Sequence, residues 1–200
     1  MNQVVTYGTE VQLMHYNSMS FLRGMNDCSL SDNIGYNCGL STWFSNGMVF
    51  KILPKFKSRQ DGDVIQYRDF VILKNIKQDS YLSVSKEPAY FTDSLAKTSD
   101  NPFLAEFSVF DNRFDYKKIY LSQENKFSFK IVVFRNKNLN NTRNLMGGDV
   151  VKITHTEMSS ELTASIMHGD IGKEVYLRKY IGEFPQENTL ISSYWVMEHE

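Results

Sequence analysis

One pattern occurs three times along this chain and limits its fold more than any other feature. It reads Gly8-Thr9-Glu10-Val11-Gln12-Leu13-Met14-His15, closing at Phe21-Leu22. It returns as Arg68-Asp69-Phe70-Val71-Ile72-Leu73-Lys74, closing at Tyr81-Leu82, and as Gly148-Asp149-Val150-Val151-Lys152-Ile153-Thr154-His155, closing at Glu161-Leu162. Each copy is a polar turn, an alternating strand, a polar loop and a second strand ending in Leu. Val11 to Leu22 spans 11 residues, and Phe70 to Leu82 and Val150 to Leu162 each span 12. An aromatic strand of shared rhythm follows each copy: Met48-Val49-Phe50-Lys51-Ile52, Phe127-Ser128-Phe129-Lys130-Ile131 and Ser193-Tyr194-Trp195-Val196-Met197. Threefold repetition of a hairpin, a loop and an aromatic strand predicts an all-β chain of β-trefoil type. In that fold six strands close a barrel and three hairpins cap one end. An open β-sandwich also has many short strands, but it does not need three equivalent units.

Composition fits a packed domain, with 42% hydrophobic and 14% aromatic residues among 200. A net charge of −1, from 22 basic and 23 acidic residues, argues against a nucleic-acid or acidic-membrane binder. Cys28 and Cys38 fall in one Gly/Asn/Ser-rich stretch. They are too few for a disulfide framework and lack zinc-finger spacing, so they read as reduced thiols. No apolar run reaches the roughly 18 residues a membrane span needs. Met1 to Leu13 shows neither a charged n-region nor an apolar core of a signal peptide, so a cytosolic chain is expected. Asn46-Gly47 predicts a hairpin turn joining Trp43-Phe44 to Val49–Leu53. Arg135–Asn144 reads as a linker or exposed loop, and Lys55, Lys57 and Arg59 as a solvated run or a contact surface. His15 and His155 occupy equivalent strand positions without catalytic partners and read as partly buried strand residues. No phosphate loop, dinucleotide fingerprint or paired-carboxylate motif occurs. No catalytic residue, metal site or cofactor is therefore expected.

The segments Trp43–Leu53, Phe127–Phe134 and Gly147–Leu162 resemble the N-terminal cytosolic region of inositol trisphosphate and ryanodine receptors. Phe129-Lys130-Ile131-Val132-Val133-Phe134 followed by Gly147-Gly148-Asp149-Val150-Val151-Lys152 is similar to the inositol trisphosphate receptor, where a Trp-Lys-Ile-Val strand leads to Gly-Gly-Asp-Val-Val-Arg. Val4-Val5-Thr6-Tyr7-Gly8 and Val11–His15 extend the likeness. The resemblance implies a non-enzymatic regulatory region of an intracellular calcium-release channel. Such a region acts on the cytoplasmic face of the endoplasmic reticulum or a related store, and packs against neighbouring domains and subunits of a tetramer. It implies two partial trefoils: residues 1–140 as a suppressor-like unit lacking its first repeat, and 141–200 as the start of the ligand-binding core. The uneven repeat intervals, 59 and then 80 residues, favour that division over one trefoil built from all three copies.

The resemblance also implies an inositol phosphate site. The family's Leu-Arg-Thr-Thr-Gly-Arg turn corresponds to Leu177-Arg178-Lys179-Tyr180-Ile181-Gly182-Glu183, so Arg178, Lys179 and Gly182 become candidate ligand residues, with Lys152 as a further charge. Glu183 replaces the second Arg and would repel phosphate, so the isolated chain is expected to bind weakly. Hairpins of this kind, called MIR motifs, also occur in protein O-mannosyltransferases and luminal proteins. A carbohydrate- or protein-binding module of the secretory pathway, or an accessory domain of such an enzyme, is the rival reading.

Overall fold

The computed structural model describes residues 3–28, 35–88, 114–135, 143–164, 175–180 and 193–199. The first repeat forms β1 (Glu10–His15), β2 (Ser20–Cys28), β3 (Gly35–Ser41) and β4 (Val49–Pro54). The second forms β5 (Phe70–Asn75), β6 (Ser80–Pro88), β7 (Phe114–Ser122) and β8 (Phe129–Arg135). The third forms β9 (Val150–His155), β10 (Ser160–Ala164), β11 (Val175–Tyr180) and β12 (Tyr194–His199).

Antiparallel pairing runs β1–β4, β4–β5, β5–β8, β8–β9, β9–β12 and β12–β1. These six strands return to their start and form a closed barrel with no free edge. The hairpins β2–β3, β6–β7 and β10–β11 are tied to one another through β3–β7 and β7–β11. This is a β-trefoil.

Alternation along the barrel strands places one side chain in two inside. Equivalent positions of the three repeats then meet in layers around the axis. Val11, Val71 and Val151 are fully buried; so are Leu13, Leu73 and Ile153; so are Phe50, Phe129 and Trp195. The buried indole is satisfied, since Trp195 Nε1 donates to the Leu162 carbonyl at 2.9 Å. At the base of the barrel three backbone bonds form a cycle: Val5 N–H to Leu145 O at 2.8 Å, Leu145 N–H to Ile65 O at 2.9 Å, and Ile65 N–H to Val5 O at 3.1 Å. All three side chains are buried there, so the cycle seals the end away from the hairpin cap.

Four expectations change. The division at residue 140 does not separate two barrels: β12 pairs with β1 and β9 with β8, so both spans build one ring. The longer second interval reflects chain between β6 and β7, where 89–113 lie outside the described residues. Asn46-Gly47 does not join two strands; Asn46–Met48 is a 3-10 turn, and Trp43 and Phe44 are exposed outside any strand. Here β4 finds its partners in β1 and β5, which bury its apolar face more fully than a local hairpin would. The two cysteines belong to the facing strands β2 and β3 rather than to a loop. The Cys38 thiol is free, and burial pushes its pKa up to about 12, with Lys118 acting weakly in the opposite direction. His15 and His155 are fully buried, not half-buried.

Candidate functional site

The third repeat carries the candidate ligand residues, and the structure gives each a local task. Lys152 projects from the outer wall of β9. Its Nζ lies 2.9 Å from Glu161 Oε1 and sits over the Tyr194 ring at 5.2 Å. Arg178 on β11 is buried; its Nη2 donates to Ser193 Oγ at 2.9 Å, and that hydroxyl lies 3.2 Å from Thr163 Oγ1. Glu161 is the cross-strand partner of Arg178, so a carboxylate-bearing residue stands between the two cations in the sheet. Lys179 follows Arg178 and is exposed. Gly182 and Glu183 lie outside the described residues. Lys152 and Arg178 are thus already committed to partners within the fold. An anion at either one competes with an existing charge-assisted bond.

The wall around Lys152 holds a different arrangement, which no sequence motif marked. Phe134, near the end of β8, stacks on Tyr194 of β12 with ring centroids 4.2 Å apart and planes tilted by 36°. Phe134 is 63% exposed. The two strands are brought together by β9, which pairs with both. The result is an aromatic pair, with Phe134 outermost, beside the Lys152–Glu161 ion pair, whose remaining ammonium N–H groups and second carboxylate oxygen can still donate and accept. An alternation count shows that Phe134 and Tyr194 point outward, but not that they meet.

The turn histidines have structural roles. His15 Nδ1 accepts from Ser18 N–H at 3.4 Å, Asn75 Oδ1 from Gln78 N–H at 3.2 Å and His155 Nδ1 from Met158 N–H at 3.2 Å. Three equivalent acceptors therefore hold three equivalent hairpin turns. Burial lowers the His155 pKa, with Glu157 opposing the shift, which favours the neutral ring. Among the described residues no three His, Cys, Asp or Glu side chains stand together as a metal site, and no helix is long and apolar enough to cross a membrane.

The sequence profile of the inositol 1,4,5-trisphosphate/ryanodine receptor family matches residues 1–114, more than half of the chain. The chain belongs to this family. No curated protein sequence matches it. Among solved structures, this family member is similar to a Caenorhabditis elegans protein of unknown function, with a TM-score of 0.67 at 13% identity, covering 98% of this chain and 97% of that one. It is similar to the SDF2-like protein of Arabidopsis thaliana, with a TM-score of 0.67 at 12% identity, covering 97% and 94%. It also resembles part of the Saccharomyces cerevisiae protein O-mannosyltransferase complex bound to the sugar donor, with a TM-score of 0.63 at 11% identity, covering all of this chain and 26% of that one. At such identities the likeness establishes the MIR-type trefoil fold, which many otherwise unrelated proteins share.

Proposed function

We propose that this chain is a non-catalytic MIR-type recognition module that binds a neutral carbohydrate on the outer wall of its third repeat. The observation that carries the reading is the exposed Phe134 ring, stacked on the half-buried Tyr194, beside the Lys152–Glu161 pair. The apolar face of a sugar ring stacks on aromatic rings, while its hydroxyls need both donors and acceptors at the rim. The fold likeness to an O-mannosyltransferase bound to its sugar donor supports the same class of ligand. A glycan array followed by calorimetry tests it. Phe134→Ala is expected to weaken binding by about tenfold or more and to leave the melting temperature nearly unchanged, because the ring is largely exposed. Absence of any glycan ligand, or unaltered affinity in Phe134→Ala, overturns the reading.

The family match over residues 1–114 favours a second reading: a regulatory domain of an intracellular calcium-release channel, packed against neighbouring domains and subunits on the cytoplasmic face of its store. Arg178, Lys179, Gly182 and Lys152 would then face an inositol phosphate. Since Lys152 is held by Glu161 and Arg178 by Ser193, we expect weak, salt-sensitive binding of inositol 1,4,5-trisphosphate to this chain. Tight binding in calorimetry would favour the channel reading over the carbohydrate one.

A further inference from the structure

The base of the barrel, opposite the hairpin cap, is open at one point near the second repeat's first turn. A cleft of about 460 Å3 is lined by Gln66, Tyr67, Arg68 and Arg143. Backbone bonds fix its walls: Tyr67 N–H donates to Arg143 O and Arg68 N–H to Ile131 O, each at 2.8 Å, and Gln66 bridges Asn144.

Arg68 stands in the left-handed region at φ 72°, in the turn where the other repeats carry Gly8 at φ 88° and Gly148 at φ 84°. A long side chain in that conformation is strained, and such outliers are held in place by their surroundings and cluster at functional positions. Arg68 and Arg143 are both exposed, and among the described residues neither guanidinium has an ion-pair partner. The adjacent carboxylate does not serve them. Asp69 Oδ2 accepts from Gln66 N–H at 3.0 Å and Tyr7 Oη–H at 3.1 Å, and lies 3.9 Å from Arg59 Nη2. Two exposed planar forks of donors therefore line one cleft.

We propose that this cleft docks an acidic peptide segment of a partner protein, with its carboxylates held by Arg68 and Arg143. Arg matches carboxylate geometry in bidentate fashion. A single small anion gains little from exposed guanidinium groups, since water and salt screen the contact. A segment bearing successive carboxylates joins several weak contacts on one chain. Apolar surface is also within its reach. Phe70 is two residues from Arg68, at most about 7 Å of chain, and packs edge-on against Phe56 at 5.6 Å, with the two rings 38% and 55% exposed. An extended peptide can use both the charged and the aromatic surface; a free phosphate can use only the first.

Fluorescence anisotropy on the full chain tests this with a labelled octapeptide of glutamates around one central phenylalanine, its glutamine counterpart, and inorganic phosphate as competitor. The glutamate peptide is expected to bind with an affinity that falls as salt rises, and the glutamine peptide to bind far more weakly. Arg68→Gly and Arg143→Gln should each weaken binding by about fivefold. The melting temperature should rise or hold in Arg68→Gly, which separates lost binding from lost structure. Equal binding of the two peptides, no binding of either, or unchanged affinity in both variants overturns the proposal. Full displacement of the peptide by millimolar phosphate also overturns it, in favour of a small-anion site.

Discussion

At position 68 an arginine takes a backbone conformation that two glycines take in the equivalent turns. The turns are otherwise alike. The N–H of Thr6 is capped by Thr9 Oγ1 at 3.3 Å, that of Gln66 by Asp69 Oδ2 at 3.0 Å, and that of Met146 by Asp149 Oδ2 at 2.9 Å. Arg68→Gly should therefore remove steric cost without disturbing the turn, raising stability by about 1 kcal/mol and the melting temperature by roughly 2–4 °C. Calorimetry checks this, and a lowered melting temperature would mean that the arginine side chain contributes contacts that outweigh its strain. His155 sets a pH dependence of definite sign. Its pKa is lowered on folding by burial, so between the folded value and the unfolded value near about 6.5 the unfolded chain binds more protons. The stability contributed by the neutral ring is then present above that range and lost as pH falls through it. Denaturant midpoints measured across that range should drop on acidification. His155→Asn, which copies Asn75 of the second repeat, should flatten the drop while keeping the turn acceptor; an unchanged slope would assign the effect to other groups.

Among the elements, the barrel strands were the most legible. Their alternation named Val11, Leu13 and His15 as one face, and that face is buried. The shared rhythm of the aromatic strands gives equivalent positions, since Phe50, Phe129 and Trp195 are all fully buried. Asn46-Gly47 misled because a turn-forming dipeptide reports only local preference, whereas β4 gains more by pairing with β1 and β5. The hairpin cap depends on close backbone approach that sequence does not display. An added Cβ on Gly35 would lie 2.4 Å from the Leu121 carbonyl oxygen, on the seam where β3 pairs with β7. Backbone cannot swing aside as a side-chain tip can, so Gly35→Ala should destabilise the fold by about 1–3 kcal/mol. Urea denaturation measures it, and a wild-type midpoint would show that the seam can yield.

For the whole molecule, closure is the controlling property. Removing residues 141–200 deletes β9–β12, leaving β1 without β12 and β8 without β9. It also breaks the Val5–Leu145–Ile65 backbone cycle. Exposed strand edges and an opened core should leave residues 1–140 without a cooperative thermal transition. A sharp transition in that truncation would instead mark 1–140 as a unit able to fold alone.

The repeat, the strands and the apolar face of each are legible along the chain, because alternation and turn chemistry are local properties carried by neighbouring residues. The sequence also carried the family likeness, which the matched profile places in residues 1–114 and which includes the run Val4–Gly8. Which strands close the ring, and whether three copies make one barrel, are decided by pairing between distant segments, where intervals along the chain say little about distance in space. The same physics decided the candidate site. Lys152 and Arg178 read as available cations in one dimension, and tertiary structure gave each a partner while setting Phe134 against Tyr194 across an intervening strand.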